Sequence, residues 1–173
     1  MNGFFLLIPF LIIRFGYLSR LNKNALRRAA HFPNMQGNES IAYIVYQLSN
    51  VAIVIYLVFL KVIFVLNPLF IVGSFVYIIG LVLCAITIHD FSLPSTIGIN
   101  TRGIYRYSRN PMYVSYFIIF IGCSILTQSI WLFLVVLLFQ IAAHWIILSE
   151  ERWCMEQFKV EYTDYMKQVR RYI

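Results

Sequence analysis

Five apolar segments, each long enough to cross a bilayer, constrain this chain more than any other feature. They run over 3–19, 40–60, 69–89, 112–128 and 130–149, and a hydrocarbon core asks for roughly 17–25 helical residues. Composition agrees. The 173 residues are 61% hydrophobic and only 12% charged, about half the charge of a soluble domain (roughly 25%), and the mean hydropathy is +0.76. The expected fold is all-α: a polytopic integral membrane helical bundle of about five transmembrane helices with a cytoplasmic C-terminal helix. One membrane domain should cover 1–173, with N-terminal spans and a basic interfacial segment over 1–90 and a core rich in polar motifs over 91–173. The first apolar run lacks a basic leader and a small-residue cleavage site, so it is expected to remain as a span. Cys84, Cys123 and Cys154 are odd in number, widely spaced and never paired as C-x-x-C. They read as small apolar helix residues, and no metal is expected.

Charge sets the topology. Arg20, Lys23, Arg27 and Arg28 follow the first segment; Arg102, Arg106 and Arg109 follow the third; Arg152, Lys159, Lys167, Arg170 and Arg171 follow the fifth. With five spans these fall on one side, while Lys61 alone falls on the other. The positive-inside rule then puts the N-terminus outside and the C-terminus in the cytoplasm. Arg14, near the end of the first span, is expected to snorkel to the interface. The net charge of +7 lies beside spans, which points to anionic lipid headgroups as partners and not to nucleic acid. Residues 20–32 read as an interfacial basic helix. Gly73 and Gly80 share a face of the third span, as close helix packing requires. The last two spans should form a tight hairpin around Gln128 and Ser129.

The segment from Gly103 to Tyr113 (GIYRYSRNPMY) packs two arginines, three tyrosines and an Asn-Pro between apolar runs. Crossing a membrane needs none of these, so the cluster reads as a binding site. Pro111 suits the first turn of the fourth span and Asn110 its N-cap. The helix start that results offers N–H groups and a positive dipole end to an anion, while Tyr105, Arg109 and Tyr113 suit a planar, charged ligand. Beyond Ser149, Met155, Phe158, Tyr162, Tyr165 and Val169 keep a helical 3-4 spacing. Extended backward, that stripe passes through Glu151, Leu148, His144 and Gln140. An inward-facing acid at the membrane boundary needs a partner; Glu150 suits either a solvated face or a site, and His144 either a packing contact or a site.

These blocks carry a resemblance. Tyr105 with Arg109-Asn110-Pro111-Met112-Tyr113 is similar to the G-x-Y-(x)3-R-[HN]-P-x-Y signature of the isoprenylcysteine carboxyl methyltransferase family and its phospholipid methyltransferase relatives. Glu150-Glu151, Phe158, Glu161-Tyr162 and Tyr165 resemble E-E-(x)6-F-G-x-E-Y-x-x-Y, and the order and spacing of the blocks also agree from about Ile97 to Ile173. The resemblance implies a membrane enzyme that uses S-adenosyl-L-methionine without a Rossmann domain. It implies cofactor binding by Ile97, Gly98, Ile99, Asn100, Tyr105, Asn110, Pro111, Met112, Tyr113 and Glu150, with Arg109 and Glu151 at motif positions that suit either catalysis or structure. The chain departs from the pattern at Asn110 (histidine in the carboxyl methyltransferases), Lys159 (glycine) and Arg170 (proline). Ile146 stands where those enzymes carry an arginine linked to substrate recognition.

Methyl transfer from a sulfonium is an in-line displacement, so alignment is the main task of the protein. A carboxylate acceptor needs no base; an amine or thiol needs one, with His144 or Glu151 as candidates. The acceptor is expected to be a lipophilic small molecule or a lipidated group that arrives from the bilayer. The expected activities are methyl transfer to an isoprenylcysteine carboxylate, to a phospholipid amine or to a thiol. Two other classes compete: a nicotinamide-dependent membrane reductase and a non-catalytic membrane protein. The sequence leaves the oligomeric state open.

Overall fold

The computed structural model describes residues 1–23, 25, 32–93 and 98–173. Arg27, Arg28 and most of the expected basic interfacial helix therefore lie outside the described residues, as does Ile97. Among the described residues the chain is helical, with no strand beyond a single bridge between Asn2 and Lys61. Helix α1 spans Gly3–Leu21, α2 Asn38–Phe59, α3 Pro68–Ser92, α4 Pro111–Leu126 and α5 Ile130–Gln168. Four of these are long and apolar enough to cross a bilayer. The exception is α4, whose 16 residues rise only about 24 Å against a hydrocarbon core of about 30 Å. The chain is thus a polytopic helical membrane protein, with α4 shorter than the apolar run suggests. Pro111 fixes its start. Its end is a Schellman closure in which Ser129 N–H reaches Ser124 O (3.1 Å) and Gln128 N–H reaches Ile125 O (3.1 Å). Gln128 takes φ +50° to make this turn, and Ser129 Oγ then accepts from Leu132 N–H to start α5.

Two pairings dominate the bundle: α3 against α4, and α2 against α5. The glycines explain the first. A Cβ on Gly80 would lie 2.8 Å from the Ile119 backbone nitrogen, and one on Gly122 would lie 2.7 Å from the Tyr77 backbone. Gly73 faces Ile125 and Leu126 in the same seam, so the shared face read from Gly73 and Gly80 is the α3–α4 contact. A row of rings then crosses four helices. Phe10 of α1 meets Tyr116 and Phe120 of α4; Phe120 meets Phe139 of α5, which stacks on Tyr46 of α2 at 5.1 Å.

Helix α1 is irregular for a local reason. It opens as a tight turn over Gly3–Leu6, becomes α-helical around Pro9 and widens into a π-turn over Ile12–Tyr17. Pro9 cannot donate a backbone hydrogen bond, and the buried Tyr77 hydroxyl donates to Leu6 O at 2.6 Å. The connections sort by end of the bundle. At one end Gly3 N–H bonds Leu60 O, Val62 N–H bonds Met1 O, and Ile63 N–H bonds Leu126 O. At the other, Asn22 reaches Ser92 O and Arg152 reaches Glu39. The described residues of 22–37, 93–110 and 150–173 therefore share one end, as the charge pattern predicts.

Helix α5 carries one break. Lys159 has φ +42° and ψ −110°, a region that L-residues avoid and glycine adopts freely. The chain bends there, and the following turns fold back, burying Tyr162 and Tyr165 against Ile99. Of the stripe read from sequence, Glu151 is buried, Gln140, His144, Leu148 and Phe158 are only partly so, and Met155 is exposed; the most buried face before the bend runs instead through Leu132, Val136, Phe139, Ala143 and Ile146.

Candidate active site

A cavity of about 610 Å³ opens among α1, α2, α4, α5 and the loop before α4, within the range of about 300–1,000 Å³ typical of small-molecule sites. Gly98, Ile99, Asn100, Tyr105, Asn110, Pro111, Met112, Tyr113 and Glu150 all line it, as do Arg109 and Glu151. His144 is not among the lining residues. Its Nδ1 meets the Tyr172 hydroxyl at 2.6 Å, so the tail engages the ring.

The loop holds its shape through residues that carry no catalytic signature. Asp90, at the end of α3, accepts a hydrogen bond from Ile104 N–H at 2.8 Å. Gly103 makes this possible: it has φ +57°, and a Cβ there would fall 2.0 Å from Asp90 Oδ2. The turn Gly103–Arg106 then seats Tyr105 in the cavity wall, and Tyr165 donates to Tyr105 O at 2.6 Å. Burial pushes the Tyr105 phenol well above its usual pKa, so it stays protonated. Gly98 faces Phe158, which a Cβ would approach to 2.6 Å.

Pro111 occupies the first position of α4 and Asn110 the N-cap position, yet among the described residues no side chain caps the helix. The Asn110 amide instead donates to Arg171 O at 3.2 Å and reaches Glu151 at 3.5 Å. The first turn of α4 therefore borders the cavity with its positive dipole end uncapped.

The adjacent glutamates differ sharply. Glu150 accepts a hydrogen bond from the Tyr113 hydroxyl at 2.7 Å and lines the cavity. Glu151 is 2% exposed and is bracketed by two guanidiniums: Arg109 Nε and Nη2 at 3.0 and 2.8 Å, and Arg171 Nε at 3.0 Å. Arg109 also donates to Met166 O (3.1 Å) and Val169 O (2.6 Å). It thus closes the C-terminal end of α5, where a cation meets the negative end of the helix dipole. Arg109 N–H bonds Arg170 O as well, so loop and tail are fastened side by side.

Sequence reasoning did not single out Asp90 or Arg171 for this site, nor Arg14 as part of its wall. Arg14 does not snorkel outward. It lines the cavity with its guanidinium carbon 5.6 Å from the Tyr116 ring centroid. A charge in a span costs roughly 2.5–3.5 kcal/mol on insertion scales, which a cation–π contact of about 0.5–2 kcal/mol offsets in part. The π-turn lies between α-helical segments and cannot be read from composition.

Comparison with known families follows the same residues. A phospholipid methyltransferase family model matches residues 69–161, from the first turns of α3 past the bend in α5, leaving α1, α2 and the last residues of the tail outside. No curated protein and no solved structure matches the chain. Because that match takes in more than half of the chain, including the loop, the start of α4 and both glutamates, the chain belongs to the phospholipid methyltransferase family, within the isoprenylcysteine carboxyl methyltransferase-like group.

Proposed function

We propose that the protein transfers a methyl group from S-adenosyl-L-methionine to a lipid-soluble acceptor within this cavity. The observation that carries the reading is the convergence of the uncapped start of α4 and the Tyr113–Glu150 pair on one space of nucleoside size. An uncapped helix start suits a carboxylate; a carboxylate such as Glu150 suits hydroxyl groups or an ammonium. The bound cofactor would supply a methyl group on a sulfonium sulfur. The protein's part is to hold and to orient: Gly98, Ile99 and Asn100 with Tyr105 wall one side, Met112 and Tyr113 present backbone N–H groups, and Glu150 is positioned by the Tyr113 phenol. Ile97 adjoins this segment in sequence and is included on the resemblance alone.

Arg109 and Glu151 we read as the fastening between loop and tail, and His144 as a support for Tyr172. For an amine or thiol acceptor, Glu150 is then the carboxylate available to take the proton. By the charge asymmetry, the end bearing the cavity faces the cytoplasm, and the acceptor's chain reaches it from the bilayer. Isothermal titration of the detergent-purified protein with S-adenosyl-L-methionine tests the reading, with NADPH as the control. Wild type should bind the sulfonium, and Glu150→Ala and Tyr113→Ala should each weaken it by about tenfold or more through loss of charged hydrogen bonds, with thermal unfolding unchanged. Normal titration curves for both variants, or binding of NADPH alone, would refute it.

A further inference from the structure

The cavity has a second pole of opposite charge. Glu150 lies on its α5 wall; Arg14 lies on its α1 wall, in the π-turn Ile12–Tyr17. Beside Arg14 stands Tyr116, 7% exposed, whose hydroxyl has no hydrogen-bond partner among the described residues. Both residues line the cavity, next to Tyr46 and Phe32. An arginine at membrane depth that faces an internal space marks a ligand or an ion path. Its planar fork matches phosphate and carboxylate, and a phenol supplies a further donor.

We propose that Arg14 and the Tyr116 hydroxyl recognise an anionic group on the methyl acceptor, a phosphodiester or a carboxylate, with the acceptor's alkyl chain against Tyr46 and Phe32. This rests on the reading that the cavity holds the acceptor. Arg14 attracts the anion and Glu150 repels it, so the acceptor enters in one orientation, with its negative group toward α1. The low dielectric of the surroundings strengthens this discrimination.

Binding of three probes to the detergent-purified protein tests it: a short-chain phosphatidylethanolamine, N-acetyl-S-farnesylcysteine and dodecanol. At least one of the two probes that carry an anionic group, the zwitterionic phosphatidylethanolamine or the farnesylcysteine carboxylate, should bind wild type about tenfold or more tighter than dodecanol, as charge-assisted hydrogen bonds predict. Whichever it is distinguishes phosphodiester from carboxylate. Arg14→Gln should abolish that preference and Arg14→Lys should keep part of it, while the Kd for S-adenosyl-L-methionine stays unchanged in both. Tyr116→Phe keeps the ring beneath the guanidinium and should weaken the anionic probe severalfold without affecting dodecanol. Equal affinity of wild type for all three probes overturns the proposal, as does a preference that survives Arg14→Gln or Tyr116→Phe. Failure of wild type to bind S-adenosyl-L-methionine would instead overturn the methyl-transfer reading, so the two fail separately.

Discussion

The two ends of the bundle are closed by different means. At the end holding Met1, Leu60 and Leu126, the seal is made mainly of backbone hydrogen bonds between short connections, and Asn2 adds one donor to Val58 O. At the end holding the cavity, side chains complete the backbone: Arg109 serves two tail carbonyls, Tyr165 serves Tyr105, and Glu151 joins two arginines. A backbone seal accepts many side chains and leaves little trace in the sequence. A side-chain seal demands particular residues at particular spacings. That is why the second end is written as motifs and the first as plain hydrophobicity.

Substitutions can break that contrast. The largest effect is expected at Glu151→Ala, which leaves Arg109 and Arg171 with no carboxylate; side chains that are 7% and 3% exposed form the Arg109–Glu151 pair. Breaking a buried pair costs about 3–5 kcal/mol, so thermal unfolding should fall sharply and protease should cut the tail after Lys159. An intact tail would mean that the network is ornamental. Next comes Gly122→Ala, away from the site. It presses a methyl onto the Tyr77 backbone and should cost about 1–3 kcal/mol as the α3–α4 seam opens, read as a lower Tm with cofactor affinity retained. The smallest change is a gain. Lys159→Gly relieves a strained φ, and should stabilise the bend by about 1 kcal/mol after the entropy of glycine is set against it; a lower Tm would show that the lysine side chain holds the elbow.

Lys159 also shows what was legible. The resemblance marks that position as a glycine in relatives, and the positive φ explains why, yet spacing alone reads the helix as unbroken. The spans, the shared end of the charged segments and the shared wall of the loop before α4 and the exit of α5 were legible, since apolar length, charge count and helical phase are local signals. Arg14 was misread, because its direction depends on the π-turn. Arg171 and the Tyr172 contact of His144 depend on the tail folding back, a long-range event that no local pattern encodes. Asp90 escaped notice for the same reason, although Gly103 hinted at a crowded turn.

The row of rings from Tyr46 through Phe139 and Phe120 to Phe10 has a consequence for the membrane itself. Tyr46 lines the cavity, and the rings beyond it pack into the core that holds fully buried Leu57, Ile119, Leu132 and Val136. On the proposed reading, polar ligands in the cavity would stand against an apolar layer of packed rings. Methyl transfer as proposed would then run beside the hydrocarbon layer, with aromatic side chains between the polar space and the rest of the bundle.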